Sequence, residues 1–420
     1  MNNQQPSQQS LRQRVCRTKN LLVLLVSLQL AFVWNHCSIT YLDTVIGRAG
    51  QVVHDHLDEA PQLLETNQNI TSKNLTPVAN NGHLRETPIN QPTRIFMSVP
   101  MACKKYPPAV AHLRVATLPK DVPVPRILCF IMTTSSLHYA RLNSVLKTWG
   151  KRCDKLVIAS DQEDSRFQTL KMNTEAEYDK LWQKLNETLH YVWKNYRQEY
   201  DWFFKADDDT YVIVENLKAF LMSPEVQRRQ HTEPLLFGRR YAWLTAGQLQ
   251  NRLFRGFFRD KNGTVLENQS FKERFYERIP KSQPMIYPHG GAGYVMNKLY
   301  VEKFLQVLDG PDTFRGRPAE DLAHGATMAY HGIYSQPTRD ALGRERFHPE
   351  PALYMYGAPV DWIGKLVGTL LPEEQPKNGT DCCSSHSISF HHMHSSKMLF
   401  LDQFLYECPR WWRNETRTTM

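Results

Sequence analysis

The sequence predicts an α/β domain, a mostly parallel sheet flanked by helices, carried behind a single membrane-spanning segment at the N-terminus. Three observations carry that prediction. Short apolar runs alternate with helical stretches from residue 125 onward, one long apolar run stands near the start, and a polar segment separates the two. Composition agrees. With 420 residues, 41% hydrophobic and 22% charged, the chain can bury a core, which excludes a wholly disordered protein. Its net charge of +9 suits an anionic ligand and by itself names none.

The N-terminal elements come first. Residues 1–20 are polar and carry Arg12, Arg14, Arg17 and Lys19, while no acidic residue appears before Asp43; we read a cytoplasmic tail. Residues 21–42 (LLVLLVSLQLAFVWNHCSITYL) follow. At 1.5 Å per residue a helix of this length reaches about 33 Å, against a hydrocarbon core of about 30 Å. Trp34 and Tyr41 fit an interfacial belt. A cleaved signal peptide is the competing reading, but no small-x-small site follows the apolar run, so an uncleaved anchor is preferred. Basic flanks stay cytoplasmic, which sends everything beyond about residue 43 into a lumen. Asn-x-Ser/Thr acceptors at Asn69, Asn74, Asn186, Asn262, Asn268, Asn378 and Asn414 agree with that side; Asn186 falls in a predicted helix. Residues 43–120, rich in Gln, Asn, Thr and Pro, show no apolar period and read as a flexible stem. Residues 121–420 are then the folded domain.

Within it, residues 126–132 (RILCFIM) read as a buried strand closed by a polar turn, and residues 156–159 (LVIA) as a second. Leu142, Val145, Leu146 and Trp149 recur at helical spacing between them. Residues 178–200 form a long amphipathic helix with Leu181, Leu185, Leu189 and Val192 on one face. Residues 201–204 (DWFF) are a third strand. Alternation of this kind gives a mostly parallel sheet covered on both faces, and ligands bind beyond the carboxyl ends of its strands.

At one such end stand Lys205 and then Asp207-Asp208-Asp209. Three carboxylates pressed against apolar segments need compensation, and a divalent cation with a preference for hard oxygen ligands supplies it. The competing reading is an acidic turn capping a helix over residues 212–222. Gly290-Gly291-Ala292-Gly293 lacks the spacing of a phosphate fingerprint and instead permits close backbone approach.

Residues 178–217 (YDKLWQKLNETLHYVWKNYRQEYDWFFKADDDTYVIVENL) resemble the animal core 1 β1,3-galactosyltransferases. Residues 287–296 (YPHGGAGYVM), 344–349 (RERFHP) and 381–391 (DCCSSHSISFH) resemble them too, in the family's order. The resemblance implies a GT-A fold, a UDP-galactose donor, manganese with magnesium as the alternative, and a single-pass type II protein of the Golgi membrane. It implies inverting transfer of galactose to GalNAc on Ser/Thr of glycoproteins, leaves room for a homodimer, and gives no role to nucleic acid. Carried onto these residues, Asp209 is the direct metal ligand, Asp207 a supporting one, and His391 the second protein ligand, ahead of His392 and His394. Asp207 and Asp208 also serve the ribose or diphosphate, where Lys205 can add charge, a core-facing lysine being its equal alternative. Glu320-Asp321-Leu322 matches the family's Glu-Asp-Val, making Asp321 the general base, with a helix N-cap as its other duty. Met132 and Thr133 are expected to line the nucleoside pocket, with Asp161 a weaker candidate. Gly290, Gly291, Tyr354 and Trp362 are expected near the acceptor, although Tyr354, Tyr356 and Trp362 read equally well as core. The chain departs from the family at Leu322, at Thr327 in place of Cys, at His392 in place of an aromatic, and at Glu350 in place of an apolar residue. Those departures open two alternatives: a related transferase with another acceptor, or a non-catalytic folding partner of such enzymes.

Beyond the anchor lie Cys103, Cys129, Cys153, Cys382, Cys383 and Cys408, enough for three disulfides, with adjacent Cys382 and Cys383 expected to take different partners. No Cys-x-x-Cys spacing suggests zinc. Cys16 and Cys37 fall in the tail and at the membrane edge.

Overall fold

The computed structural model describes residues 102–103, 110–174, 180–243, 277, 285–310, 320–357, 375, 377 and 379–408, all within one of the two units into which the chain divides, Arg94–Met420. The apolar runs form the sheet. β1 (Ile127–Met132) is buried throughout; β2 (Lys155–Ser160) lies on one side of it, with β3 (Thr169–Lys171) beyond, and β4 (Trp202–Asp207) on the other. These four run parallel, Cys129 pairing with Leu156 and with Phe204. Past β4, the short β5 (Tyr211–Val212) leaves this sheet. β6 (Leu236–Gly238) forms the far edge; β7 (Arg240–Trp243) and β8 (Met285–Pro288) pair with each other; β9 (Tyr294–Asn297) inserts antiparallel between β4 and β6. The order is β3-β2-β1-β4-β9-β6, mostly parallel with β9 reversed. β10 (Phe347–His348) and β11 (Ser389–Phe390) join β5 in a small second sheet.

Alternation along β1 and β4 sends side chains to two cores. Leu128, Phe130, Met132 and Phe203 pack on α2 (Leu181–Tyr196), α5 (Lys298–Leu308) and α6 (Glu320–Tyr330), through Leu185, Leu189, Phe304 and Ala326. Ile127, Cys129, Ile131, Trp202, Phe204 and Ala206 face α3 (Val214–Leu221) and α8 (Ser395–Tyr406), meeting Leu217, Leu221, Leu401 and Phe404. Each such Leu, Ile or Phe contributes roughly 1.5–3 kcal/mol by leaving water. Shorter helices α1 (Asn143–Lys147), α4 (Pro224–Arg229) and α7 (Ala352–Gly357) complete the layer.

Several expectations shift. β4 runs on to Asp207 because Lys205 continues the ladder, opposite Phe130 and Tyr294. The helix expected over residues 212–222 begins at Val214, since Tyr211 and Val212 pair with Phe390 and Ser389. The long helix ends at Tyr196. The end of the segment assigned to the stem is docked on the domain: Val110 and Leu113 are buried, and the Ala116 amide donates to Asn216 Oδ1 at 2.7 Å. The cysteines correct the sequence reading. Cys103 pairs with Cys408 and Cys129 with Cys153, which leaves Cys382 and Cys383 to pair with each other, in a turn where both are buried. Asn186 sits on α2, and the Thr188 of its acceptor sequence is buried, its hydroxyl donating to the Lys184 carbonyl. The other acceptor sites, Cys16, Cys37, the tail and residues 21–42 lie outside the described residues. Among the described residues no helix is long and apolar enough to cross a membrane.

Candidate active site

The parallel strands end in a shared polar patch. Asp207 closes β4 opposite Met132 on β1. Thr210 turns the chain there: its hydroxyl accepts from the Asp207 amide at 3.2 Å and donates to the Gly291 carbonyl at 2.7 Å. The three carboxylates then point to three sets of partners. Asp207, one-third exposed, takes Lys205 Nζ at 2.6 Å. Asp208 is buried, accepting from Thr133 Oγ1 at 2.6 Å and Arg141 Nη1 at 2.6 Å. Asp209, also buried, faces His391 Nε2 at 3.2 Å, Arg141 at 3.2 Å and His392 Nδ1 at 3.8 Å. Burial would raise the pKa of Asp209, but the two histidines and Arg141 hold it far below the usual carboxylate range. Burial wins at Asp208, whose pKa is raised despite Thr133 and Arg141.

His391 follows directly on β11, its amide donating to the His348 carbonyl at 3.1 Å. Asp209, His391 and His392 each offer a ligand atom, all within 4.8 Å of one another, and this mixed carboxylate–imidazole set fits a divalent cation. Asp207 stands farther out, 3.8 Å from His391 Nε2.

Across the Gly290–Gly293 turn lies Asp321. It occupies the first turn of α6 rather than the position ahead of it, so the N-cap expectation gives way to another arrangement: Oδ1 accepts from the Leu322 amide and Oδ2 from the Gly290 amide, both at 2.8 Å. Burial raises its pKa, opposed by those amides and Lys205. Beside it Glu320 is buried against Lys205 and pushed up to about 7 by burial, with Lys205 pulling the other way. Lys205, 1% exposed, also donates to the Gly290 carbonyl at 3.3 Å. It is an internal counter-ion shared by the aspartate strand and α6, which agrees with the core-facing one of its two readings rather than with a donor contact.

The glycines are close approaches. A Cβ on Gly291 would overlap the His391 ring at Cε1, and one on Gly290 would lie 2.9 Å from Glu320 Oε1. Gly293 adopts φ +76 against Phe204 and Lys205. The turn thus separates Asp321 from His391 with backbone alone.

Other expected residues take structural partners. Thr133 accepts Lys184 Nζ on its carbonyl at 2.8 Å as well as holding Asp208. Asp161 accepts from the Ser135 amide at 2.7 Å and the Ser135 hydroxyl at 2.8 Å, bracing the turn after β1. Tyr354 is 41% exposed on α7, while Tyr356 is core, edge-on to His112. Trp362 lies outside the described residues. Sequence reasoning missed Arg141 and Lys184, and it named Glu320 in its motif without foreseeing its pairing with Lys205. A cation shortly after the first strand was the available signal for Arg141; the other two declare themselves only through distant partners.

A model of the Fringe-like family matches residues 122–315. Glycoprotein-N-acetylgalactosamine 3-beta-galactosyltransferase 1 of Xenopus laevis is 28% identical over 286 residues, 67% of this chain and 66% of that protein, so the match spans just under two thirds of the relative's length. Among solved structures, core-mannan synthase A from Aspergillus fumigatus, in a form with manganese and GDP, covers 53% of this chain and 74% of its own at a TM-score of 0.26 and 6% identity, too slight a likeness to argue from. The chain is thus similar to Fringe-like proteins over residues 122–315 and, over 286 residues, to a 3-beta-galactosyltransferase.

Proposed function

We propose that this chain is an inverting, metal-dependent β1,3-galactosyltransferase with a GT-A domain that moves galactose from UDP-galactose to GalNAc on Ser/Thr of glycoproteins. One observation carries the reading: Asp209 with His391, and Asp321, stand on opposite sides of one glycine turn at the ends of parallel strands. In inversion the acceptor oxygen forms its bond to the anomeric carbon as the bond to the diphosphate breaks, and the acceptor proton leaves to a base opposite the departing group. Asp321 takes that proton. Its two amide hydrogen bonds orient the carboxylate, and burial raises its affinity for a proton toward what a base near neutral pH needs. Asp209 and His391 would hold manganese, with Asp207 nearby; such an ion supplies charge stabilisation for the diphosphate, worth several kcal/mol. Arg141 adds fixed positive charge beside Asp208 and Asp209. Met132, Thr133 and Asp208 take the nucleoside side, and Gly290, Gly291 and Tyr354 the acceptor side.

The family's topology supports a single-pass type II protein of the Golgi membrane, anchored by residues 21–42 on a stem ending before the docked residues 110–116. Sugar transfer is tested with the purified chain, UDP-galactose, a GalNAc-bearing peptide and manganese. Asp321→Asn is expected to lower kcat by about 10²–10⁴, and Asp209→Asn to lower it by several kcal/mol of transition-state stabilisation. Unchanged turnover in both variants would sink the site assignment. A folding partner without activity would show no turnover in any variant, and another acceptor would appear in a panel of glycopeptides.

A further inference from the structure

We propose that His392 is a third protein ligand, so that two imidazoles and one carboxylate together hold the cation and bind it before any nucleotide arrives. The inference rests on reading Asp209 and His391 as ligands. His392 Nδ1 stands 3.8 Å from Asp209 Oδ2, on the opposite oxygen from the one His391 meets. The two rings lie side by side, centroids 3.8 Å apart and 31° from parallel, which turns both toward the same carboxylate. The backbone supplies a separate observation. His392 has φ 52, the left-handed region, a conformation that costs of order 1–3 kcal/mol for a side chain and persists where surroundings impose it.

The surroundings here are specific. The amide before His392 donates to the His348 carbonyl at 3.1 Å, and the amide after it donates to the carbonyl of Asp209 itself at 2.8 Å. The aspartate turn therefore pins the very residue whose ring returns to its carboxylate. Half of the His392 side chain is exposed, leaving the outer side open for a cation to enter and for further oxygen ligands. Arg141 holds Asp208 more closely, at 2.6 Å, than Asp209 Oδ2, at 3.2 Å, so Asp209 Oδ1 is left to His391 while Oδ2 is shared between Arg141 and His392. A set of two histidines and one carboxylate with open positions favours borderline cations over magnesium, which prefers oxygen alone.

The test uses the full chain stripped of metal and titrated with Co²⁺ alone, read by calorimetry and visible absorption. Wild type is expected to bind. His392→Asn, which tolerates the left-handed backbone, is expected to weaken binding at least about tenfold and shift the absorption band. His392→Gly, free of any conformational demand, must weaken it similarly, while His394→Asn should match wild type. Wild-type titration by either His392 variant, or no Co²⁺ uptake by wild type without nucleotide, would overturn the proposal. Co²⁺ uptake that depends on His392 in a chain that transfers no sugar would instead leave it standing and sink the assigned activity.

Discussion

Gly291 marks how closely the site is built. The space of its missing side chain is filled by the His391 ring, which stands where a Cβ would need room. Gly291→Ala must therefore displace that ring, and displacement of about 1 Å costs on the order of 100-fold in rate. Steady-state transfer with manganese would show it; wild-type kcat would mean His391 is no ligand. Glu320 offers a pH test. Its folded pKa, about 7, lies above the ordinary 4.5, so its contribution is complete below about pH 4.5 and is lost as pH rises through 7. The thermal midpoint is expected to fall over that interval, and Glu320→Gln to flatten the fall; an equal slope in the variant would rule out Glu320 as its source. At this scale the sequence was legible where residue type announced chemistry. Asp209, His391 and Asp321 were marked by their motifs, and the structure brings them together. Lys184 was not, and the motif that contained Glu320 gave it no role, because the meaning of both lies in partners distant in sequence.

Among the elements, long apolar runs revealed β1, β2 and β4, since a buried parallel strand needs no alternation. The two-residue strands β5, β10 and β11 could not be read: they are too short for any period, and yet they deliver the histidines to the aspartates. The reversal of β9 was equally hidden, because sequence order says nothing of which neighbour a strand will join. Disulfides differ in what they tie. Cys103–Cys408 spans 305 residues, whereas Cys382–Cys383 spans one. If the constraint on the unfolded chain dominates, Cys408→Ser with Cys103→Ser should cost about 2–5 kcal/mol, and the paired Cys382→Ser and Cys383→Ser change far less. Denaturant unfolding compares them; equal losses would show that packing around the adjacent pair matters more than loop closure. α8 has a second anchor: Asp402 takes Arg152 at 2.6 and 3.0 Å and the Tyr211 hydroxyl at 2.8 Å, joining the C-terminal helix to β5.

For the whole molecule, the two-faced sheet follows from strand–helix alternation, and the Fringe-like match covers most of it. Acceptor choice was not legible, because the residues around Glu350 and His392 depart from the family pattern while the strand ends keep theirs. The proposed topology has its own measurement. In sealed microsomes, protease added outside should leave everything beyond about residue 43 intact; digestion of the domain without detergent would refute the assigned orientation.

Asp209 and His391 are near neighbours in space, yet most of the domain's chain lies between them. A ribosome that has delivered the whole parallel sheet has still not delivered the second half of the site, nor Cys408, the partner of Cys103. Messages cut short late in the coding region should therefore yield products that build the sheet but can neither complete the proposed cation pocket nor form the Cys103–Cys408 bond.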